Sequence, residues 1–292
     1  MKRWLKRISI TLLVLITLVA SVAWVVYRRA NRVPAWYAQA KQVDTAGADA
    51  AEKQRIIPMQ NWVARSSAVK RDTTPPELKQ FTTELTADQI NALIAKWSEA
   101  AGITERLAQH LTNLRIRLAD GQITIAGEST EYGKVLSIVL QPRSGAHGYA
   151  EMVLDSIQIG DQTLPLVTLE GQKNAIGSNI MAGAPSMHDK IAIDDYGAAT
   201  RETESVYYSN LVATILSGAP ANLYTFLMAD PMGKKNPIVT RVKSVTIVDG
   251  TLSMTLEMLS AEQRKALVEE LKAVATEPIT EPIIEPAAVP DN

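Results

Sequence analysis

The chain contains no cysteine. That excludes disulfide bridges and a lipid-modified cysteine, while leaving the redox compartment open. Aromatic residues make up 5% and phenylalanine occurs twice, so a core must be built from Leu, Ile, Val, Ala and Met. No excess of either charge exists: 30 basic residues stand against 31 acidic ones, a net charge of −1, which carries no nucleic-acid footprint. Three histidines occur, His110, His147 and His188, and none has a second His or a Cys at metal-ligand spacing. Asp189, Asp194 and Asp195 lack the calcium-loop pattern and its closing Glu, so they read as a solvated acidic loop. The sequence has no GxSxG, no P-loop and no GxGxxG following a strand. Ser67-Ala68-Val69-Lys70 is an SxxK tetrad and Tyr208-Ser209-Asn210 resembles a second element of penicillin-interacting enzymes. The Lys-Thr-Gly element that would complete that machinery is missing. These absences predict a protein that is not an enzyme and carries no cofactor and no metal.

What the sequence does contain begins with Ile8 to Tyr27, about twenty residues without a charge and roughly 30 Å long as a helix, the thickness of a bilayer's hydrocarbon core. Lys2, Arg3, Lys6 and Arg7 precede it and Arg28, Arg29 and Arg32 follow, an asymmetry that slightly favours an inside N-terminus. The expectation is an uncleaved signal anchor. The rival is a cleaved signal peptide, because Ser21-Val22-Ala23 places small residues where a peptidase cuts. The expected organisation is a cytoplasmic basic N-terminus (1–7), a transmembrane anchor (8–27), a partly helical juxtamembrane spacer (28–76), an extracytoplasmic domain (77–275) and a disordered tail rich in Pro and Glu (276–292). Thr73-Thr74-Pro75-Pro76 marks the boundary before the domain. The repeated Glu-Pro steps of the tail cannot build a core.

Within the domain, residues 78–85 alternate as a short strand. Thr86 with Gln89 three residues on forms a capping box, opening a helix whose apolar face is Ile90, Leu93, Ile94 and Trp97. A second helical face is expected through Ile103, Leu107, Leu111 and Leu114. The run 114–128 is a β-hairpin turning at Asp120-Gly121, where a type I′ turn needs positive φ twice. Its register sets Leu118 against Ile123 and Ile116 against Ile125. The run 242–259 repeats the design at Asp249-Gly250, with Ile247 against Leu252 and Val245 against Met254. Lys243 would then oppose Leu256, so a bulge or strand end is required there. Residues 134–142 and 148–159 form a further strand pair. In the first of these, Leu136, Ile138 and Leu140 share one face while Val135 and Val139 share the other. Such a strand is buried on both sides or borders an apolar groove. The region 160–205 shows no strong periodicity. A helix from about residue 205 follows, and Ser260 with Gln263 opens a last one with Leu267, Val268, Leu271 and Val274 inward.

The stretch Leu85-Thr86-Ala87-Asp88-Gln89-Ile90-Asn91-Ala92-Leu93, the hairpin after it and the Leu164-Pro165 step resemble membrane-anchored bacterial domains of the YpmS-like, tubular lipid-binding (TULIP) type. The resemblance covers about 81–166. It implies a long antiparallel sheet curved around a helix, enclosing a groove for acyl chains, with no catalytic residues. The expected fold is α+β, a single N-terminal transmembrane helix followed by a curved antiparallel sheet packed on amphipathic helices. The expected function is an extracytoplasmic module of the bacterial inner membrane that binds a lipid or other apolar ligand, serving lipid transfer or envelope maintenance. Its candidate lining is Ile90, Leu93, Ile94, Trp97, Leu136, Ile138, Leu140 and Met152, each of which also suits a plain core position. The alternative is a non-enzymatic envelope scaffold with a filled core that presents its tail to a protein partner.

Overall fold

The computed structural model describes residue 21 and residues 24–43, 45–70, 73–100, 111–145, 148–164, 184–228 and 236–276. The architecture is α+β with antiparallel strands throughout. The expected transmembrane helix is corrected: among the described residues, no helix is long and apolar enough to cross a membrane. Most of the span 8–27 lies outside the described residues, and its described end runs into a helix over 24–30 that includes Arg28 and Arg29. The single-pass signal-anchor assignment falls with the expected transmembrane helix, and the inner-membrane placement rested on that helix alone. Of the expected tail, 276–292, Thr276 ends the last described helix and 277–292 lie outside the described residues.

Two sheets organise the described strands. The first has the order β1 (Gln80–Thr86), β10 (Thr251–Met258), β9 (Ile238–Val248) and β8 (Tyr224–Leu227). The second is six-stranded and runs β2 (Leu111–Ala119), β3 (Gln122–Ser129), β4 (Val135–Ser144), β5 (Ala150–Ile159) and β6 (Gln162–Leu164), with β7 (Ala221–Asn222) also pairing β5. One extended segment joins the two sheets. Its first part, β7, pairs with β5, and its second part, β8, pairs with β9. Between them the Leu223 amide donates to the Ala150 carbonyl at 3.1 Å, and the Leu223 carbonyl accepts from the Val242 amide at 2.8 Å. Backbone hydrogen bonding therefore passes without a break from one sheet to the other.

Both Asp-Gly hairpins have the registers their apolar alternation dictates. Leu118 opposes Ile123 and Ile116 opposes Ile125, while Ile247 opposes Leu252 and Val245 opposes Met254. Asp120 and Gly121 have φ of 55° and 74°, and Asp249 and Gly250 have 48° and 73°, the pair of positive values that a type I′ turn demands. A bulge between Thr255 and Leu256 leaves Lys243 unopposed, so Leu256 meets Val242 and apolar continuity is kept. Leu111 and Leu114 lie in β2 rather than on a helix. Their helix-like spacing is coincidental, because a strand edge with a bulge between Thr112 and Arg115 also separates apolar residues by three.

Among the described residues, helices α1 (Ala35–Ala40), α2 (Ile57–Ser67), α3 (Ala87–Ala100), α4 (Arg201–Leu216) and α5 (Ala261–Thr276) surround the sheets. The short helix Ala48–Ala51 and a π-turn, Glu52–Ile56, lead into α2. The expected juxtamembrane spacer contributes to the core, since Trp62 and Val63 of α2 are buried with Val242, Leu256 and Met258. Trp62 stacks on Phe81 at 5.5 Å and its indole N–H donates to the Leu78 carbonyl at 3.0 Å. On the other side of the first sheet, α4 and α5 bury Val206, Tyr207, Leu267 and Leu271 against Phe226 and Val239. Both capping boxes form: the Thr86 amide donates to Gln89 Oε1 at 3.0 Å, and the Ser260 amide to Gln263 Oε1 at 2.9 Å.

α3 seals the free edge of β2. Asn91, 1% exposed, receives the Ile116 amide on Oδ1 at 2.7 Å and donates from Nδ2 to the Ile116 carbonyl at 2.8 Å. One side-chain amide thus does what a neighbouring strand would do, on an edge that is otherwise a liability. Lys96 on the same helix pairs with Asp49 at 2.7 Å and with Glu52, tying α3 to the helical segment before α2. Gly160, at φ 57°, lies where a Cβ would meet the Arg32 carbonyl at 2.5 Å, so the end of the 24–30 helix approaches closely. Next to it, the Asp161 amide donates to the Arg29 carbonyl at 3.0 Å.

Asn91→Ala removes both edge hydrogen bonds and leaves buried backbone groups of Ile116 unmet, so it is expected to cost about 2 kcal/mol. Urea unfolding with an unchanged slope checks it. A loss below about 0.5 kcal/mol, an ordinary surface value, would show that water replaces the amide.

Candidate functional site

The second sheet has two unlike faces, set by the pleat. On one, pairing aligns Leu118, Ile123, Leu140 and Leu154 in a row across four strands. The next row is Ile116, Ile125, Ile138, Ile157 and Leu164, and Leu136 opposite Ile159 begins a third. The bulge between Val139 and Leu140 shifts the register once, which keeps Leu154 and Ile157 in their rows on the same side. β-Branched and Leu side chains at these positions suit a pleated, packed surface.

Coverage of this face is graded. Leu118, Leu140, Met152 and Leu154 are buried at one end, where Ile215 of α4 and Leu223 pack on the cluster. Leu136, Ile138, Ile125, Ile157, Ile159 and Leu164 are only partly buried. The opposite face is covered over its Val135–Val139 part, while Arg117 and Arg143 on it are exposed. There Ala126 and Val135 lie under Tyr37 and Trp36 of α1, and Val139 and Ser137 are buried as well. Tyr37 is fully buried, and its hydroxyl donates to the Asn113 carbonyl at 2.7 Å. Arg115, from the same face, donates from Nε to the Ala40 carbonyl at the end of α1 at 2.9 Å. β4 is thus apolar on both sides for two reasons: one side is core beneath α1, and the other belongs to the Ile and Leu face.

The eight residues expected to line a groove separate into two groups. Leu136, Ile138, Leu140 and Met152 come together on the open face, with Ile138, Leu140 and Met152 in one cluster. Leu93 is buried elsewhere, with Ala48, Ala51 and Ala92 under the helical segment before α2. Ile90 and Ile94 are partly buried on α3, and the side chain of Trp97 lies outside the described residues. Ile125, Ile157 and Leu164 complete the rows and were not singled out from the sequence. Their signal was the alternation within each strand, but their alignment with β4 depends on pairing across the sheet.

Side chains with chemical potential elsewhere are engaged in structure. Ser67 Oγ donates to the Ala64 carbonyl at 2.9 Å, Lys70 pairs with Asp195 at 3.8 Å, and Ser209 lies within α4. Asp194 Oδ1 accepts the amides of Tyr196 and Ala198 at 2.9 and 2.7 Å, shaping the acidic loop. His188 lies 3.2 Å from Asp189, while His110 and His147 lie outside the described residues. Tyr207 is buried and donates its hydroxyl to the Asn222 carbonyl at 3.1 Å while accepting the Tyr224 amide at 2.7 Å. Burial pushes its phenol well above the usual range. It is a strand clamp, holding the free edge of the segment that joins the sheets.

No family model, no curated protein and no solved structure matches the chain.

The buried phenol under the sheet has a measurable signature. Burial, with the Glu128 carboxylate nearby, raises Tyr37 from 10.0 to about 12. A group raised in the folded state contributes stability that is complete below its unfolded pKa and is lost as pH rises through the folded one. Stability is therefore expected to fall between about pH 10 and 12, and Tyr37→Phe to flatten that fall while costing about 1 kcal/mol at pH 7 for the lost hydrogen bond. Denaturant titrations at pH 7, 10 and 11.5 check both signs.

Proposed function

We propose that the chain is a non-enzymatic binding module whose second sheet takes a lipid or other apolar ligand on its Ile and Leu face. One observation carries this reading: a contiguous apolar face spans five strands, is packed at the Leu140–Met152–Leu154 end and is only partly covered over the Leu136, Ile138 and Ile157 end. Water lies against part of a surface that has the composition of a core. Completing the burial of such a side chain is worth on the order of 1 kcal/mol, so an alkyl chain lying along two rows gains several. The cover of α1 over Ala126 and Val135 on the opposite face supports the same reading, because a backed part of a sheet pays little to receive a ligand. The resemblance to tubular lipid-binding domains points to the same ligand class. No acid–base pair or nucleophile borders the rows among the described residues, so the module is read as holding its ligand and not as converting it.

The test uses the full chain purified from bacteria. Native mass spectrometry with lipid extraction is expected to find a phospholipid or fatty acid at about one per chain, and a fluorescent fatty acid to bind in titration. Ile138→Asp places a charge in the middle row and should weaken that binding at least about tenfold, equivalent to 1.4 kcal/mol, while circular dichroism stays unchanged. A ligand-free mass together with no response to the fluorescent lipid would overturn the reading.

A further inference from the structure

A second cleft, on the far side of the first sheet, has a different chemistry. It lies between α5 and the loop through 191–195 and measures about 340 Å3, within the range of small-molecule sites. Its floor is apolar. Ile191 is 2% exposed, and Ile193 and Val268 pack on the same buried cluster. Its polar wall is basic: Arg264, Lys265 and Lys272 line it, against the single acid Asp195, whose carboxylate is 3.8 Å from Lys70.

Arg264 is the telling residue. It is 5% exposed, and its Nη1 donates to the Leu259 carbonyl at 3.1 Å. Among the described residues, no ion pair joins it to a carboxylate. A buried guanidinium is expensive unless an opposite charge faces it, and a backbone carbonyl supplies only a partial one. Its place in the first turn of α5 adds to the cost, since the positive end of a helix dipole disfavours a cation and favours an anion. Glu262 in the same turn does not line the cleft. An anion seated beside Arg264 and Lys265 would supply the missing charge, and the floor of Ile191, Ile193 and Val268 would take an apolar body attached to it.

We infer that this cleft binds a small amphipathic anion, a carboxylate carried on a short alkyl body. The site is separate from the Ile and Leu face of the second sheet, and its occupant is selected by charge as well as by apolar surface.

Octanoate is the probe, titrated calorimetrically into the full chain, with octan-1-ol as the uncharged control and acetate as the anion without a body. Octanoate is expected to bind at least about tenfold more tightly than either control. Lys265→Glu reverses an exposed charge at the rim and Val268→Asp places a like charge on the floor. Each should lower octanoate affinity at least about tenfold with the circular dichroism spectrum retained, whereas Ile138→Asp on the second sheet should leave the component that the cleft variants remove unchanged. Octanol or acetate binding as tightly as octanoate would overturn the inference. So would full octanoate binding in both cleft variants, or a loss confined to Ile138→Asp, which would assign the octanoate to the sheet face. Failure of the sheet-face reading is seen separately, as loss of fluorescent-lipid binding by the wild-type chain while octanoate still binds the cleft.

Discussion

The fold depends on the backbone of Leu223. Its amide and carbonyl pair in opposite directions, to Ala150 of one sheet and Val242 of the other. Without that junction β5 and β9 would each present unpaired groups along an edge, and buried edges cannot be left unpaired. The junction is itself held from the side by the Tyr207 hydroxyl, which satisfies Asn222 and Tyr224 together. Leu223 also packs in the clusters on both sheets, so hydrogen bonding and apolar burial meet at one residue.

That junction divides the helices between two tasks. α4 and α5 close one side of the first sheet around Val239 and Phe226, and α2 closes the other around Leu256 and Val242. α1 covers part of the back of the second sheet, over Ala126 and Val135. Among the described helices, the end of α4 packs on the front of the second sheet through Ile215, beside Leu223 of the joining segment. The rows of Ile and Leu on that front are therefore the part of the apolar interior that the described helices cover least. This gives the proposed lipid site a physical origin: the surface is of core composition because it is sheet, and it is open because the helices are used elsewhere.

The cleft at α5 obeys a different balance. Its apolar floor is continuous with a well-packed core, and what distinguishes it is the buried Arg264 guanidinium, which no ion pair joins to a carboxylate among the described residues. A hydrophobic face gains from any apolar cover, whereas a buried guanidinium gains only from an anion. The two surfaces therefore select for different features of a ligand, and they are lined by different residues.

By itself the sequence determined the local structure. The Asp-Gly hairpins, their registers, the bulge beside Lys243 and both capping boxes follow from period-two alternation, turn chemistry and short-range hydrogen bonding, all of which act within a few residues. Local signals failed where they were incomplete. The spacing of Leu111 and Leu114 imitated a helix inside a bulged strand, and an apolar run of spanning length led to a transmembrane helix that the described structure does not contain. Likewise, the face chosen from β4 came together, while Leu93 of α3 turned to another cluster, because a helix's apolar stripe does not state which neighbour it meets. Only the tertiary structure decided that Trp62 belongs to the core, that Asn91 seals β2, that Leu223 joins the sheets and that Arg264 is buried without an ionic partner among the described residues. Each of those depends on groups brought together across long stretches of chain, and no pattern along a single segment contains them.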